Sequence, residues 1–206
     1  MARPKKADKE EMATVKIENA FWRLLETESY SDITVLRISQ EAGTNRNSFY
    51  YHYRDIEDLA HKAFMNNAGE DVSKALLSVL MAALQKNTDD NVIDIDPAVL
   101  PHSERIMLCA RSDSTFLNGM VRDLLQNIWF EYLSIDEALL SKTERLQTTF
   151  IFAGLVAVLG SSELRDSPLA MTAMSQTKIG RAAVNTLKSI SRAQSIEMKI
   201  QHIVHN

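Results

Sequence analysis

The stretch from Thr34 to Tyr53, TVLRISQEAGTNRNSFYYHY, gathers side chains suited to contact with an anionic polymer. Set as a helix at about 100° per residue, its last turns bring Phe49 and Tyr53 together on one inward face. Tyr51 then points directly away, with Asn47 and Ser48 on either side of it. Arg46 and Tyr50 flank one edge and His52 the other. The outward surface is Arg, Asn, Ser, two Tyr and His, without a carboxylate. Such groups donate to phosphate oxygens, reach the edges of bases, or press on a thymine methyl.

Those side chains have to be held by neighbouring elements, and the surrounding periodicity supplies them. Ile17, Ala20, Phe21, Leu24 and Leu25 follow the spacing of an amphipathic helix. Ser29 to Asp32 interrupts it. Thr34 suits an N-cap ahead of Val35, Ile38 and Ala42 on one face, and Gly43 stands where that helix must stop. Asn45 caps a third short helix. Asp55 caps a fourth, which carries Ile56, Leu59, Ala60, Ala63 and Phe64. Helix, glycine-containing turn, helix is the arrangement that presents a recognition helix to the major groove.

The residues Thr34-Val35, Ile38, Ala42-Gly43-Thr44, Ser48-Phe49-Tyr50-Tyr51-His52-Tyr53 and Glu57-Asp58-Leu59 resemble the DNA-binding domain of the TetR family of bacterial transcription regulators. The resemblance covers about residues 11–71. It implies an all-α fold: an N-terminal three-helix helix-turn-helix domain and a larger helical-bundle domain for dimerisation and effector binding. At matching positions it implies that Thr34 and Val35 touch phosphate. Arg46, Asn47 and Ser48 approach bases or backbone, Tyr51 faces the groove floor, and Tyr50 and His52 bind phosphates. The family often has basic residues at the positions of Leu36 and Ile56; both are apolar here. The function implied is a dimeric repressor, bound to double-stranded DNA at a palindromic operator and released by a small-molecule effector. The alternative is a ligand-independent nucleoid- or replication-associated factor on the same fold. A helical-bundle enzyme or scaffold is the least favoured reading.

Composition sets the wider frame. The chain has 206 residues, 45% hydrophobic and 24% charged, a globular profile. Six Gly and four Pro are too few for a turn-rich all-β fold. A single cysteine, Cys109, excludes an internal disulfide and a cysteine-based zinc cluster. No cofactor, metal site or catalytic constellation is expected. The longest apolar run, Phe150 to Gly160, is too short to span a bilayer, and no export signal is visible, so a cytoplasmic, non-membrane protein is expected. Net charge is −4, against a protein that coats nucleic acid over its whole surface. Positive charge is local: Arg3, Lys5, Lys6 and Lys9 in a basic tail over residues 1–10, then Arg46, His52 and Arg54 in the motif.

Residues 72–206 read as the second domain. Asn87 to Ser103 is a predicted break, Met120 to Leu133 an apolar stripe, and 143–165 a helix apolar all round in its middle. Ser167-Pro168 suits the start of a further helix reaching 193. The helices near 143–165 and 168–193 are the predicted homodimer contact, with Leu155 on it. Met107, Phe116, Trp129, Tyr132, Phe150 and Met171 are candidates to line an effector pocket among these helices.

Overall fold

A computed structural model describes backbone over residues 6–68, 100–162 and 177–204, with side chains over 12–68, 102–162 and 177–196. The described residues are all-α, without a strand. In chain order they are α1 (Lys6–Thr27), a 3-10 turn (Tyr30–Asp32), α2 (Val35–Glu41), α3 (Arg46–His52), α4 (Ile56–Asn67), α5 (Leu100–Arg111), α6 (Thr115–Leu133), a second 3-10 turn (Glu137–Leu139), α7 (Lys142–Leu159) and α8 (Lys178–Val204). None is long and apolar enough to cross a membrane.

The amino-terminal helices start where local chemistry directs. Thr34 Oγ1 accepts the Arg37 N–H at 3.2 Å, Asn45 Oδ1 the Ser48 N–H at 2.8 Å, and Asp55 Oδ1 the Asp58 N–H at 2.8 Å. Each satisfies one of the donors that a helix start leaves without an acceptor. Gly43 follows α2 with φ +63°, the left-handed conformation that glycine adopts without a steric cost. Ile17, Ala20, Phe21, Leu24 and Leu25 are all buried, so the predicted face of α1 is the packed one. α1 packs on α2, α3 and α4, and also on α5. The helix begins at Lys6, so the second half of the basic tail is helical backbone; Arg3 and Lys5 lie outside the described residues.

The second region differs from the sequence reading at its boundaries. α5 starts at Leu100, so the predicted break does not extend to Ser103. Pro101 falls in the first turn, where its missing N–H would have no intrahelical partner in any case. α7 ends at Leu159, short of the predicted 165. Its start is set by a capping box: Ser141 Oγ accepts the Glu144 N–H, and Glu144 accepts the Ser141 N–H. Glu144 is held below the usual carboxylate range by the Ser141 hydroxyl and, next, the Ser141 N–H. α8 begins at Lys178 after a bend at Thr177, so one helix over 168–193 does not form. Ser167-Pro168 and the 71/72 domain boundary lie outside the described residues.

A helix apolar all round from Phe150 to Gly160 needs cover on more than one side. Phe152, Val156 and Leu159 are buried, and Ile151, Leu155 and Val158 pack against the same core. Leu155 is therefore a packing residue, and the open side carries Leu146, Phe150, Ala153 and Ala157. Cys109 is fully buried, and burial pushes its thiol from 9.0 up to about 12.

Two outcomes follow from this packing. A Cβ on Gly160 would sit 2.5 Å from the Ala110 carbonyl oxygen, so Gly160→Ala has to push α7 away from α5. The expected loss is about 1–3 kcal/mol, read as a lower thermal midpoint. Cys109 keeps its proton in the folded state, so its contribution is intact below pH 9.0 and is lost as pH rises toward about 12. Stability measured by denaturant titration falls across that window, and Cys109→Ala makes the fall shallower. Tyr30, pushed up to about 12 first by burial, adds a decline that starts only near 10.0.

Candidate nucleic-acid interface

α3 is a seven-residue helix held by its inward aromatics. Phe49 and Tyr53 are buried, with ring centroids 5.6 Å apart, and the remaining positions face outward. Tyr50 is 58% exposed and Tyr51 66%, unusual for large aromatics on a packed domain. Arg46 and Asn47 are exposed in the first turn, and Ser48 is half-buried with its N–H tied to Asn45. His52 is half-buried, and the Tyr51 ring stands edge-on to it at 4.8 Å. At the start of α2, Thr34 is exposed and Val35 half-buried against the core. The fold thus brings Arg46, Asn47, Ser48, Tyr50, Tyr51 and His52 onto one short helix, with Thr34 and Val35 at the start of the helix beside it.

Charge around this surface is sorted by ion pairing. Arg23 Nε meets Glu41 Oε1 at 2.8 Å, and Arg37 Nη2 pairs closely with Glu28 Oε1. The Glu28 carboxylate holds the Arg37 guanidinium above its ordinary pKa. Arg46 makes no ion pair among the described residues, and Arg54, 85% exposed, is 3.9 Å from Asp58. The cations beside α2 are closely paired, whereas Arg46 at the start of α3 has no such pair among the described residues and Arg54 past its end has only a long one and stays exposed. Leu36 is exposed, whereas Ile56 packs against the core as the first residue of α4 and presents nothing to solvent chemistry.

The anchoring of α3 at its carboxyl end was not legible in the sequence. Lys62 Nζ, on α4, donates to the His52 carbonyl at 3.1 Å and to Asp58 Oδ2 at 3.0 Å. Asp58 also accepts the Arg54 N–H at 3.0 Å. That N–H first, and Lys62 next, hold its carboxyl below the usual range. Tyr53 Oη donates to Glu18 Oε1 at 3.1 Å, and Asn66 Nδ2 reaches the same oxygen at 2.9 Å. Burial, and then the Glu18 charge, raise the Tyr53 phenol. Only Asp58-to-Lys62, four apart on one helix, carried a sequence signal.

The second-domain candidates scatter. Met107, Phe116 and Trp129 are half-buried, and Phe116 and Trp129 pack against the core. Tyr132 is 39% exposed. Phe150, 77% exposed on the open face of α7, departs from the expectation: among the described residues it points away from the core and lines no enclosed space. Met171 lies outside the described residues. No group of three or more potential metal ligands occurs among the described residues.

A capped helix-turn-helix with an acid-free, aromatic outward face defines the amino-terminal part as a DNA-binding domain. The model of the family described as bacterial regulatory proteins, tetR family, matches residues 19–63. Residues 19–63 thus carry a TetR-type DNA-binding domain, and that domain supports a TetR-type transcription regulator. The match ends within α4 and leaves the second helical region outside it. No curated protein matches the chain.

Asn45 separates folding from binding. Asn45→Ala removes the α3 cap and is expected to cost about 1 kcal/mol. Asn45→Asp keeps the cap and melts near wild type. It nevertheless weakens DNA binding in a fluorescence-anisotropy titration, because it places a carboxylate on an edge that has none.

Proposed function

We propose that the protein is a dimeric repressor that reads a palindromic operator through α3 and is released by a small molecule bound among the helices of the second domain. The observation that carries the DNA-reading part is the exposure of Tyr50 and Tyr51 on an outward face whose rotation is set by buried Phe49 and Tyr53. Water gives no reason to expose two phenols side by side, and a phosphate-lined groove does.

Dimerisation is supported by two open stripes. On α7, Leu146, Phe150, Ala153 and Ala157 recur at alternating spacings of four and three, and all are exposed. On α8, Ile179, Ala182, Thr186, Ser189, Ala193 and Ile196 recur at three and four, exposed or half-exposed. That alternation is the seam of helices packed nearly parallel, and its small residues allow close approach. α7 and α8 pack on one another, so both stripes belong to one helical pair that a second copy can cover. An effector among α5, α6 and α7 would meet Met107, Phe116 and Trp129, and it acts by favouring a dimer whose recognition helices are wrongly spaced.

Individual contacts separate by type. Two copies of α3 enter successive major grooves, so half-sites lie about 34–36 Å apart. Tyr51→Ala and Arg46→Ala are expected to cost about 1–3 kcal/mol per site and to relax sequence preference in a selection from random duplexes. Tyr50→Phe and His52→Ala weaken binding to all sequences alike and flatten its salt dependence. Light scattering is expected to give twice 23.2 kDa for the wild type and the single mass for Phe150→Glu. A wild type that prefers no duplex, or a Tyr51→Ala variant that binds as wild type, overturns the assignment.

A further inference from the structure

Asn67, the last residue of α4, is only 3% exposed. Its amide grips one residue of α5 twice. Nδ2 donates to the His102 carbonyl at 2.9 Å, and Oδ1 lies 3.0 Å from His102 Nδ1. Arg105 Nη1 donates to the same Oδ1 at 3.4 Å, and Arg105 Nη2 reaches Asn19 Oδ1 on α1 at 3.4 Å. The guanidinium carbon also stands 5.3 Å from the centre of the Trp22 ring. A buried carboxamide that pairs with both the main chain and the side chain of one residue sets the axial register of two helices. Sliding by a residue would leave buried polar groups without partners. Apolar packing alone tolerates such slides far better.

The other end of α4 holds the recognition helix, through Lys62 to the His52 carbonyl and Asp58 to the Arg54 N–H. We infer that Asn67 and Arg105 are positioning residues for DNA recognition: they lock α1, α4 and α5 into one body, and α4 passes that lock to the carboxyl end of α3. A change in the second domain that reorients α3 then has to move α5 together with the whole helix-turn-helix unit. α4 does not swing on its own against α1. This inference rests on α3 being the DNA-reading helix, and it concerns residues none of which faces DNA.

The test uses the full-length protein with Asn67→Leu, Arg105→Met and the double variant. Arg105 is only half-buried, so its variant serves if Asn67→Leu does not fold. The first readout needs no DNA: hydrogen exchange at the Phe49 to Tyr53 amides is expected to speed up severalfold in each single variant, with little further change in the double. The second is the ratio of Kd on the duplex preferred by wild type to Kd on a scrambled duplex. The preference is expected to shrink about fivefold or more, the low end of measured couplings between sites, while Kd on scrambled DNA is unchanged. A merely structural role lowers the thermal midpoint and leaves both readouts at wild type in the folded variants, and that result overturns the inference. A wild type without any preferred duplex sinks the DNA-reading assignment instead, and the exchange arm still decides whether the lock reaches α3.

Discussion

Burial of Phe49 on the seven-residue helix α3, and of Tyr53 at its carboxyl cap, sets the angle at which α3 is presented. A helix this short has too few internal hydrogen bonds to persist alone, so packing decides both its existence and its rotation. With those two rings inside, Tyr50 and Tyr51 have nowhere to go except outward. The Asn45 cap at one end and the Lys62 contact at the other hold the helix in length as well as in rotation. Every chemical property of the interface depends on that setting, since a turn of α3 about its axis would exchange phenols for core.

Electrostatics then refines what packing presents. The overall charge of −4 is unfavourable for DNA, and the domain answers locally. Arg23 and Arg37 are paired with Glu41 and Glu28 on the side of α2, which stabilises the domain without adding attraction there. Exposed pairs of this kind contribute little to stability, typically under about 1 kcal/mol each, so their larger effect is on where positive potential remains. It remains at Arg46 and Arg54, at the two ends of the recognition helix.

The second helical region is organised differently. α7 is apolar enough to be a central helix, yet among the described residues only one side of it is covered, and Phe150 is left exposed. The Ser141–Glu144 capping box fixes where α7 begins, and the contact of Gly160 with Ala110 fixes where it ends against α5. α5 is thus held by α7 at its carboxyl end and by Asn67 nearer its start. It lies between the helices of the amino-terminal domain and those that leave an apolar seam open.

How much of this was legible from residue order depends on range. The three N-caps at Thr34, Asn45 and Asp55 and the Gly43 stop are contacts between residues one to four positions apart, and the apolar spacing along α1 and from Phe49 to Tyr53 marks one face of each segment, because helix geometry alone brings such positions together. The chain order therefore determined them, and with them the class of domain and the identity of its outward face. Ser141-x-x-Glu144 is legible by the same rule. The exposure of Phe150, the packing role of Leu155, the anchoring of His52 by Lys62 and the grip of Asn67 on His102 join positions whose proximity no local periodicity encodes. A side chain's burial is decided by what other helices place against it, and that is a property of the assembled packing. The tertiary structure alone decided those.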